Sequence, residues 1–418
     1  MNPQISEQEE EAVCYKSETC NFNYCKERES CVTSPECDYD YCIKPSDYQS
    51  MVPEEDLKGS VLLKRLSFLD RFLVVWILLA MVTGVLIGYY VPNVQPAFAT
   101  VQFGSVSVPI AVGLLVMMYP VLCKVQYERL PALLTDKNVW IQIGISVFIN
   151  WIIGPIVMTA VAWATLPDLP GFRTGVIMVG LARCIAMVLI WNQLAGGDAD
   201  YCAILVAINS VLQIALYSPY AVLFINIIPG WFGAPVDTTI DASIWPVAQS
   251  VLIYLGIPLA AGFLTRLVLC YLKGKQWYNA KFVPHVGPFA LLGLIYTIIV
   301  MFANQGHHII DNIGSVFRVA VPLVLYFAIM FFLPFFILKR LRVPYPLVVT
   351  QSFTAGSNNF ELAIAVAVGT YGIESEQALA ATMGPLIEVP VLLALVYLSL
   401  LFKKKLAWNQ KPSTCTSC

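Results

Sequence analysis

The chain has 418 residues, of which 58% are hydrophobic and 12% are charged. Soluble domains carry about a quarter charged residues, so this composition excludes an ordinary soluble protein and indicates a polytopic membrane protein. The net charge of −2 is unevenly distributed, because residues 1–57 hold fourteen acidic and four basic residues whereas the remainder is basic. The charge pattern therefore predicts an acidic tail followed by a membrane domain with basic flanks.

The tail, residues 1–57, shows neither a helical nor a strand period, which predicts a disordered cytosolic segment. It lacks the apolar core of a secretory signal. Its six cysteines are separated by steps of five or six residues: Cys14, Cys20, Cys25, Cys31, Cys37 and Cys42. Zinc sites use pairs that lie two to four residues apart, so the spacing does not predict one. Binding of a soft ion, palmitoylation and no role are the alternatives for these thiols.

Ten apolar segments follow, and each is near the length that a helix needs to cross a bilayer. The predicted spans are 68–90, 105–122, 139–164, 175–194, 201–228, 244–270, 284–303, 313–338, 346–371 and 376–402. They define a membrane domain at 58–405, with a short C-terminal tail at 406–418. Lys and Arg are concentrated in every second loop, so both termini are predicted to be cytosolic. We expect the protein in the plasma membrane or the vacuolar membrane.

Two predicted spans contain polar, glycine-bearing interruptions. Span four runs through Gly-Leu-Ala-Arg-Cys at 180–184, and span nine runs through Gly-Ser-Asn-Asn-Phe-Glu at 356–361. The interruptions are about 175 residues apart, and each half holds five spans, so the second half would be inserted upside down. Inverted repeats with one discontinuous helix each are typical of secondary transporters, although glycine-rich patches can also serve helix packing alone. The predicted fold is all-α, with ten transmembrane helices in two inverted five-helix repeats whose broken helices four and nine cross near the midplane.

Two carboxylates, Glu361 and Glu388, lie well inside predicted spans. An intramembrane carboxylate commonly carries a proton or an ion, so both are candidates for proton coupling. Glu361 is the stronger candidate because it belongs to the interruption of span nine. The alternative for either residue is a hydrogen-bonded glutamate in a helix interface.

The interruption of span four places a cation beside a thiol. The charged Arg183 needs a partner in the membrane, which Glu361 across the crossing or a substrate would supply. Cys184 beside it is either a small apolar residue or a ligand for soft metals and metalloids. The other candidate substrate-binding side chains are four amides and one indole: Asn192, Asn209, Asn358, Asn359 and Trp191. For Trp191, a role as a gate and a role in packing alone are the two alternatives.

These residues lie in motifs that resemble a known family. The stretch Gly180-Leu-Ala-Arg-Cys-Ile-Ala-Met-Val-Leu-Ile-Trp-Asn-Gln-Leu-Ala-Gly-Gly-Asp198 closely resembles the fourth-helix motif of arsenite efflux permeases. Those permeases form the arsenical-resistance family of the bile acid/arsenite/riboflavin transporter superfamily. Ser357-Asn-Asn-Phe-Glu-Leu-Ala363 and Gly384-Pro-Leu-Ile-Glu-Val-Pro390 look like motifs of the same family, and the resemblance covers about residues 62–402.

The resemblance implies ten helices and proton-coupled export of trivalent arsenic, sometimes of antimony. It also implies that Cys184 and Glu361 are key transport residues. The expected partners are arsenite, protons and the lipid bilayer, without nucleic acid. The long Cys-rich tail departs from the common pattern of the family.

Two alternatives fit the same residues. A sodium-coupled organic-anion symporter of the same superfold would need a cluster of acidic and amide ligands for sodium, and would not need Cys184. A membrane metalloid sensor would depend on the tail cysteines and not on Glu361. Because no nucleotide-binding loop, metalloprotease motif or haem motif is evident, neither an enzyme nor a cofactor is expected.

Overall fold

The computed structural model describes residues 13–14, 42–43, 72–91, 102–103, 106–125, 137–185, 187–233, 244–304, 306, 310, 313–406 and 408. The chain separates into two compact units, Leu66–Ala407 and the combination of Met1–Arg65 with Trp408–Cys418. In the second unit, β1 (Val13–Cys14) pairs antiparallel with β2 (Cys42–Ile43), with Cys14 opposite Cys42. The rest of the tail, including its other four cysteines, lies outside the described residues, so its predicted disorder stays a prediction.

In the larger unit, the regular structure of the described residues is helical apart from one antiparallel ribbon, formed by β3 (Gln102–Phe103) and β4 (Val106–Ser107). Its described helices are α1 (Leu73–Tyr90), α2 (Val108–Cys123), α3 (Lys137–Phe148), α4 (Gly154–Thr165), α5 (Pro170–Leu181), α6 (Met187–Leu194), α7 (Ala199–Ala221), α8 (Ile228–Trp231), α9 (Ile244–Val251), α10 (Ile257–Lys273), α11 (Lys275–Trp277), α12 (Val283–Asn304), α13 (Ile313–Arg318), α14 (Ala320–Arg340), α15 (Tyr345–Ala355), α16 (Phe360–Tyr371), α17 (Glu376–Thr382) and α18 (Gly384–Lys405).

Within the described part of the chain, six helical segments are long and apolar enough to cross a membrane. They are Trp140–Thr165, Ala199–Trp231, Ile244–Lys273, Lys275–Asn304, Ala320–Arg340 and Glu376–Lys405. Three shorter apolar helical stretches accompany them: Val75–Tyr90, Ala111–Cys123 and Phe360–Tyr371. This helical content confirms the prediction of an integral, polytopic membrane protein.

Four of the long segments stay continuous through single π turns. The turns Ile149–Ile153, Val222–Ile227, Leu252–Gly256 and Tyr278–Phe282 join α3 to α4, α7 to α8, α9 to α10 and α11 to α12. Each ends two residues before a proline: Pro155, Pro229, Pro258 and Pro284. Proline has no N–H, and its ring clashes with the carbonyl four residues earlier. The wider π turn accommodates the ring without ending the helix.

The described helices of the larger unit pack in two groups. In the first group, α12 packs on α1 and α2, and α10 also packs on α2. Gly84 of α1 permits one close approach, because a Cβ there would lie 2.6 Å from Cβ of Phe302. In the second group, α5 packs on α4 and α17, while α14 packs on α4, α15 and α18. This second group contains the interrupted pairs α5–α6 and α15–α16, which carry the candidate site.

Candidate functional site

Two helix interruptions meet at the centre of the second helix group. The backbone leaves the helical conformation between Leu181 and Met187, and again between Ala355 and Phe360. Arg183 and Asn358 form an antiparallel bridge between the two extended segments. The described parts of these segments, 182–185 and 356–359, are called the two breaks below. The crossing of the breaks brings the polar motifs of spans four and nine together.

The ends of the broken helices leave carbonyl groups that have no partner within the helix. The side-chain Nδ2 of Asn358 donates to the carbonyl oxygens of Val179 at 2.9 Å and Ala182 at 3.0 Å. The backbone N–H of Asn359 donates to the same Ala182 oxygen at 3.2 Å. The second break therefore satisfies the C-terminal end of α5. This requirement explains why an amide stands at position 358.

Side chains from neighbouring helices hold the backbone of both breaks. Gln213 of α7 accepts the backbone N–H of Arg183 through Oε1 at 3.0 Å. Glu388 of α18 accepts the hydroxyl of Ser357 at 2.6 Å and the backbone N–H of Asn358 at 3.4 Å, both through Oε1. The two acceptors therefore satisfy the N–H groups of the same two residues that form the bridge. Gln213 and Glu388 are buried.

The guanidinium of Arg183 is fully buried, with 0% exposure. Its Nη1 donates to the hydroxyl of Tyr326 in α14 at 3.0 Å, while Nε and Nη2 have no hydrogen-bond partner in the described part of the chain. The structure thus joins Arg183 to Tyr326 and not to Glu361. A buried charge with free donors is costly unless a ligand completes it.

Cys184 lies next to the bridge and has 4% exposure. Its Sγ accepts the N–H of Val188 at 3.3 Å, so the sulfur sits at the N-terminal end of α6. The thiol is not part of a disulfide. A helix N-terminus carries a partial positive charge, so the sulfur lies where electron-rich ligand atoms are favoured.

The two carboxylates have different surroundings. Glu361 lies in the first turn of α16 and is half-buried, and Asn359 caps that helix by accepting the N–H of Leu362 at 3.0 Å. Glu388 has 3% exposure, and one of its oxygens is occupied by the second break. Glu361 is therefore the less constrained of the two acidic groups.

The remaining candidates divide by their hydrogen bonds. Asn209 accepts the indole N–H of Trp151 at 3.0 Å. Trp191 is buried at 2% exposure, and its indole nitrogen has no partner. Both ends of the Asn192 amide are engaged at the turn between α6 and α7. Its Nδ2 donates to the backbone carbonyl of Asp198, and its Oδ1 accepts from the hydroxyl of Thr350. Asn192 therefore orders this turn, whereas Asn209 lies beside Gln213, which holds the first break, and Trp191 lies in the helix that follows that break.

Sequence reasoning did not select Tyr326 and Trp151 as site residues. Each is an aromatic residue within an apolar span. The hydroxyl of Tyr326 accepts from Arg183, and the indole N–H of Trp151 donates to Asn209. Buried Tyr and Trp usually find a hydrogen-bond partner, which is the signal that the sequence offered.

Several buried polar atoms of the breaks and of α6 have no hydrogen-bond partner among the described residues: Arg183 Nε and Nη2, Asn358 Oδ1, Asn359 Nδ2 and Trp191 Nε1. All belong to residues predicted from the sequence. Buried polar atoms without a partner among the described residues also belong to Asn150, Thr159, Gln351 and Thr370. Most buried polar groups in folded proteins are satisfied, so four free atoms on the three bridged or adjacent residues Arg183, Asn358 and Asn359 indicate a place for a ligand. Donors predominate here, which suits a small solute rich in oxygen.

Comparison with known proteins gives consistent matches. The model of the sodium bile acid symporter family matches residues 111–312. The arsenical-resistance protein Acr3 of Corynebacterium glutamicum is 47% identical over 355 residues, which cover 84% of this chain and 95% of the relative. An uncharacterised transporter of Synechocystis sp. is 32% identical, covering 79% of this chain and 88% of the relative. Acr3 of Alkaliphilus metalliredigens is 29% identical, covering 80% of this chain and 93% of the relative.

Proposed function

The chain belongs to the arsenical-resistance family of membrane transporters, and from that premise we propose that it exports trivalent arsenic from the cytosol by proton antiport. The relatives from Corynebacterium and Alkaliphilus are both named arsenical-resistance proteins. The observation that carries the proposal is the set of buried donors without a partner among the described residues, on Arg183 and Asn359 at the crossing beside Cys184 and on Trp191 in α6.

The chemistry of arsenous acid fits these groups. At physiological pH it is a small neutral molecule whose three hydroxyl groups can accept from the guanidinium and indole and can donate to Oδ1 of Asn358. The arsenic centre is soft, and sulfur is the soft ligand that the site offers in Cys184. Antimonite has the same hydroxyl chemistry and is the second substrate to test.

We propose the ten-helix inverted repeat as the architecture for this transport. Arg183 and Asn358, which form the bridge, are separated by 175 positions in the sequence. The same offset relates the two acceptors of their N–H groups, Gln213 and Glu388. A shared offset between residues in equivalent contacts supports an internal repeat, and discontinuous helices at its centre are typical of secondary transporters. The distribution of basic loops supports cytosolic termini, in the plasma or the vacuolar membrane.

Coupling to protons follows from the charge of the solute. A neutral molecule gains no free energy from the membrane potential, so uphill export needs a coupled ion. Glu361 is the proposed carrier because it is the half-buried carboxylate at the start of α16. It would take up a proton on the outer or luminal side and release it to the cytosol, so that inward proton flow drives export. Glu388 is the second candidate, with one oxygen already bound to the break.

A sodium-coupled organic-anion symporter is the alternative, because the matching family model describes sodium bile acid symporters. It predicts uptake of a bile-acid-like anion that depends on a sodium gradient. The test compares two transport assays, performed either on the purified protein in liposomes or on everted membrane vesicles that contain it. We expect arsenite accumulation driven by an imposed pH difference and unaffected by sodium. Sodium-driven uptake of taurocholate without arsenite movement would establish the alternative.

A further inference from the structure

We propose that Tyr326 is a positioning residue that presents Arg183 to the transported solute. This inference rests on the proposed function and adds a residue to its site. It starts from the hydrogen bond that holds the Arg183 guanidinium among the described residues, which runs from Nη1 to the Tyr326 hydroxyl at 3.0 Å. Tyr326 has 0% exposure and lies in α14, outside both breaks.

The contact determines which part of the guanidinium remains available. With Nη1 engaged by Tyr326, the free groups are Nε and Nη2. These two donors form one edge of the planar fork, which is the edge that binds two oxygen atoms side by side. The tyrosine therefore occupies one end of the arginine and leaves a bidentate edge for the solute.

Gly154 lies against the hydrogen bond between Arg183 and Tyr326. A Cβ at this position would lie 2.8 Å from Nη1 of Arg183 and 3.3 Å from the Tyr326 hydroxyl oxygen. Gly154 follows the π turn Ile149–Ile153, so α4 begins directly against the arginine. The glycine leaves just enough room for the hydrogen bond, and a methyl group there would displace it.

The position of Tyr326 in the repeat supports a role in the site. Tyr326 and Trp151 are separated by the same 175 positions that relate Arg183 to Asn358. Trp151 uses its indole N–H to hold Asn209, as Tyr326 uses its hydroxyl to hold Arg183. Each half thus contributes an aromatic residue whose polar tip orients a polar side chain near the breaks.

Without the hydroxyl, the buried guanidinium would no longer be held in one orientation, and the solute would have to orient it on binding. Removing the hydroxyl should therefore weaken arsenite binding more than it slows the transport cycle. A hydrogen bond to a charged group corresponds to roughly a tenfold or larger change in affinity. The expected signature is a raised KM for arsenite with a nearly unchanged maximal rate.

The first test compares Tyr326→Phe with Tyr278→Phe in everted vesicles under an imposed pH difference. Tyr278 is a matched control, because it is also 0% exposed and its hydroxyl donates to the Cys123 carbonyl at 2.9 Å in the first helix group. We expect KM to rise about tenfold in Tyr326→Phe only, with equal melting temperatures for the two variants. An unchanged KM in Tyr326→Phe, or an equal rise in Tyr278→Phe, would overturn the inference.

A second pair approaches the same contact through its neighbour. Gly154→Ala should raise KM as Tyr326→Phe does, whereas Gly144→Ala on the same span should not, because a Cβ at 144 meets nothing within 4 Å. Normal kinetics in Gly154→Ala would contradict the geometry even if Tyr326→Phe were poorly produced. Wild-type protein that moves no arsenite would overturn the proposed function, and this inference with it. Wild-type transport with unaffected variants would overturn this inference alone.

Discussion

At the scale of single residues, the contacts of the site separate ligand candidates from structural groups. Asn192 was predicted as a substrate contact, but both ends of its amide are used at the turn after α6. For Arg183, whose predicted partner is Glu361 or a substrate, the structure shows a hydrogen bond to Tyr326. The sequence places a residue along a span, but it does not specify which neighbouring helix its side chain meets. Glycines and polar residues within apolar spans were sufficient to predict the breaks themselves.

Cys184 provides the residue-scale prediction. Serine preserves the size and the hydrogen-bonding capacity of the side chain but lacks a soft sulfur atom, so Cys184→Ser should lower arsenite export by about tenfold or more. The control is Cys123→Ser, because Cys123 is also a buried free thiol but lies in α2. Export is measured as arsenite flux in vesicles matched for protein abundance. A wild-type rate in Cys184→Ser would show that the thiol is dispensable.

At the scale of elements, each break depends on a side chain of a separate helix. Such partners could not be predicted from sequence, because they depend on the packing of α7 against the first break and α18 against the second. Gln213 is the clearer case, since its Oε1 accepts from Arg183 while its Nε2 donates to the Asn209 carbonyl at 3.3 Å. Loss of this side chain would leave the buried N–H of Arg183 without this acceptor.

Gln213 is therefore expected to tolerate substitution only by another acceptor. Gln213→Leu should destabilise the fold by about 1–3 kcal/mol and lower transport, because the N–H of Arg183 loses its acceptor. Gln213→Glu should retain more activity, since Glu388 holds the second break in the same way. Gln193→Leu, at an exposed position, is the control. Thermal unfolding and arsenite flux are measured on all three variants. Equal losses of stability and of transport in Gln213→Leu and Gln213→Glu would contradict this account.

An ion pair joins two other elements. Arg318, the last residue of α13, donates to both oxygens of Asp168 at 2.7 and 2.6 Å in the turn between α4 and α5. These hydrogen bonds lower the pKa of Asp168 to about 2. The unfolded pKa is about 3.9, so the stabilisation is complete above that value and is lost as pH falls through the native value.

Asp168→Asn should therefore show a small loss of stability at neutral pH, because both partners are largely exposed. The difference in melting temperature from wild type should shrink on going from pH 7 to about pH 3, and also at high salt. Thermal unfolding of the two purified proteins tests this. A difference that grew on acidification would contradict the assigned direction of the pKa change.

At the scale of the whole molecule, composition and charge were sufficient to predict a helical membrane protein, and the described helices confirm that class. The correspondence of contacts across 175 positions adds a geometric reason for an inverted repeat. The periodicity of apolar residues could not indicate an inverted repeat, because uniformly apolar spans show little preference for one face. The polar residues at the breaks carry the information instead.

The ten-helix topology makes a direct prediction. Single cysteines at positions 275 and 238, in a background without other accessible cysteines, should react with an impermeant maleimide from opposite sides of the membrane. Position 275 lies in a basic loop and position 238 in a loop of opposite parity, so the former should be cytosolic. Labelling of both positions from the same side would contradict the ten-helix arrangement.

The central claim is that Glu361 carries the proton that drives arsenite export, and one measurement tests it most directly. Arsenite accumulation is measured in everted vesicles, with and without an imposed pH difference, for wild type, Glu361→Gln and the control Glu374→Gln, whose side chain is exposed after α16. Glutamine preserves the shape of the side chain but cannot release a proton. The account predicts gradient-driven accumulation for wild type and for Glu374→Gln, and none for Glu361→Gln. Accumulation of arsenite by Glu361→Gln in response to the gradient would contradict it.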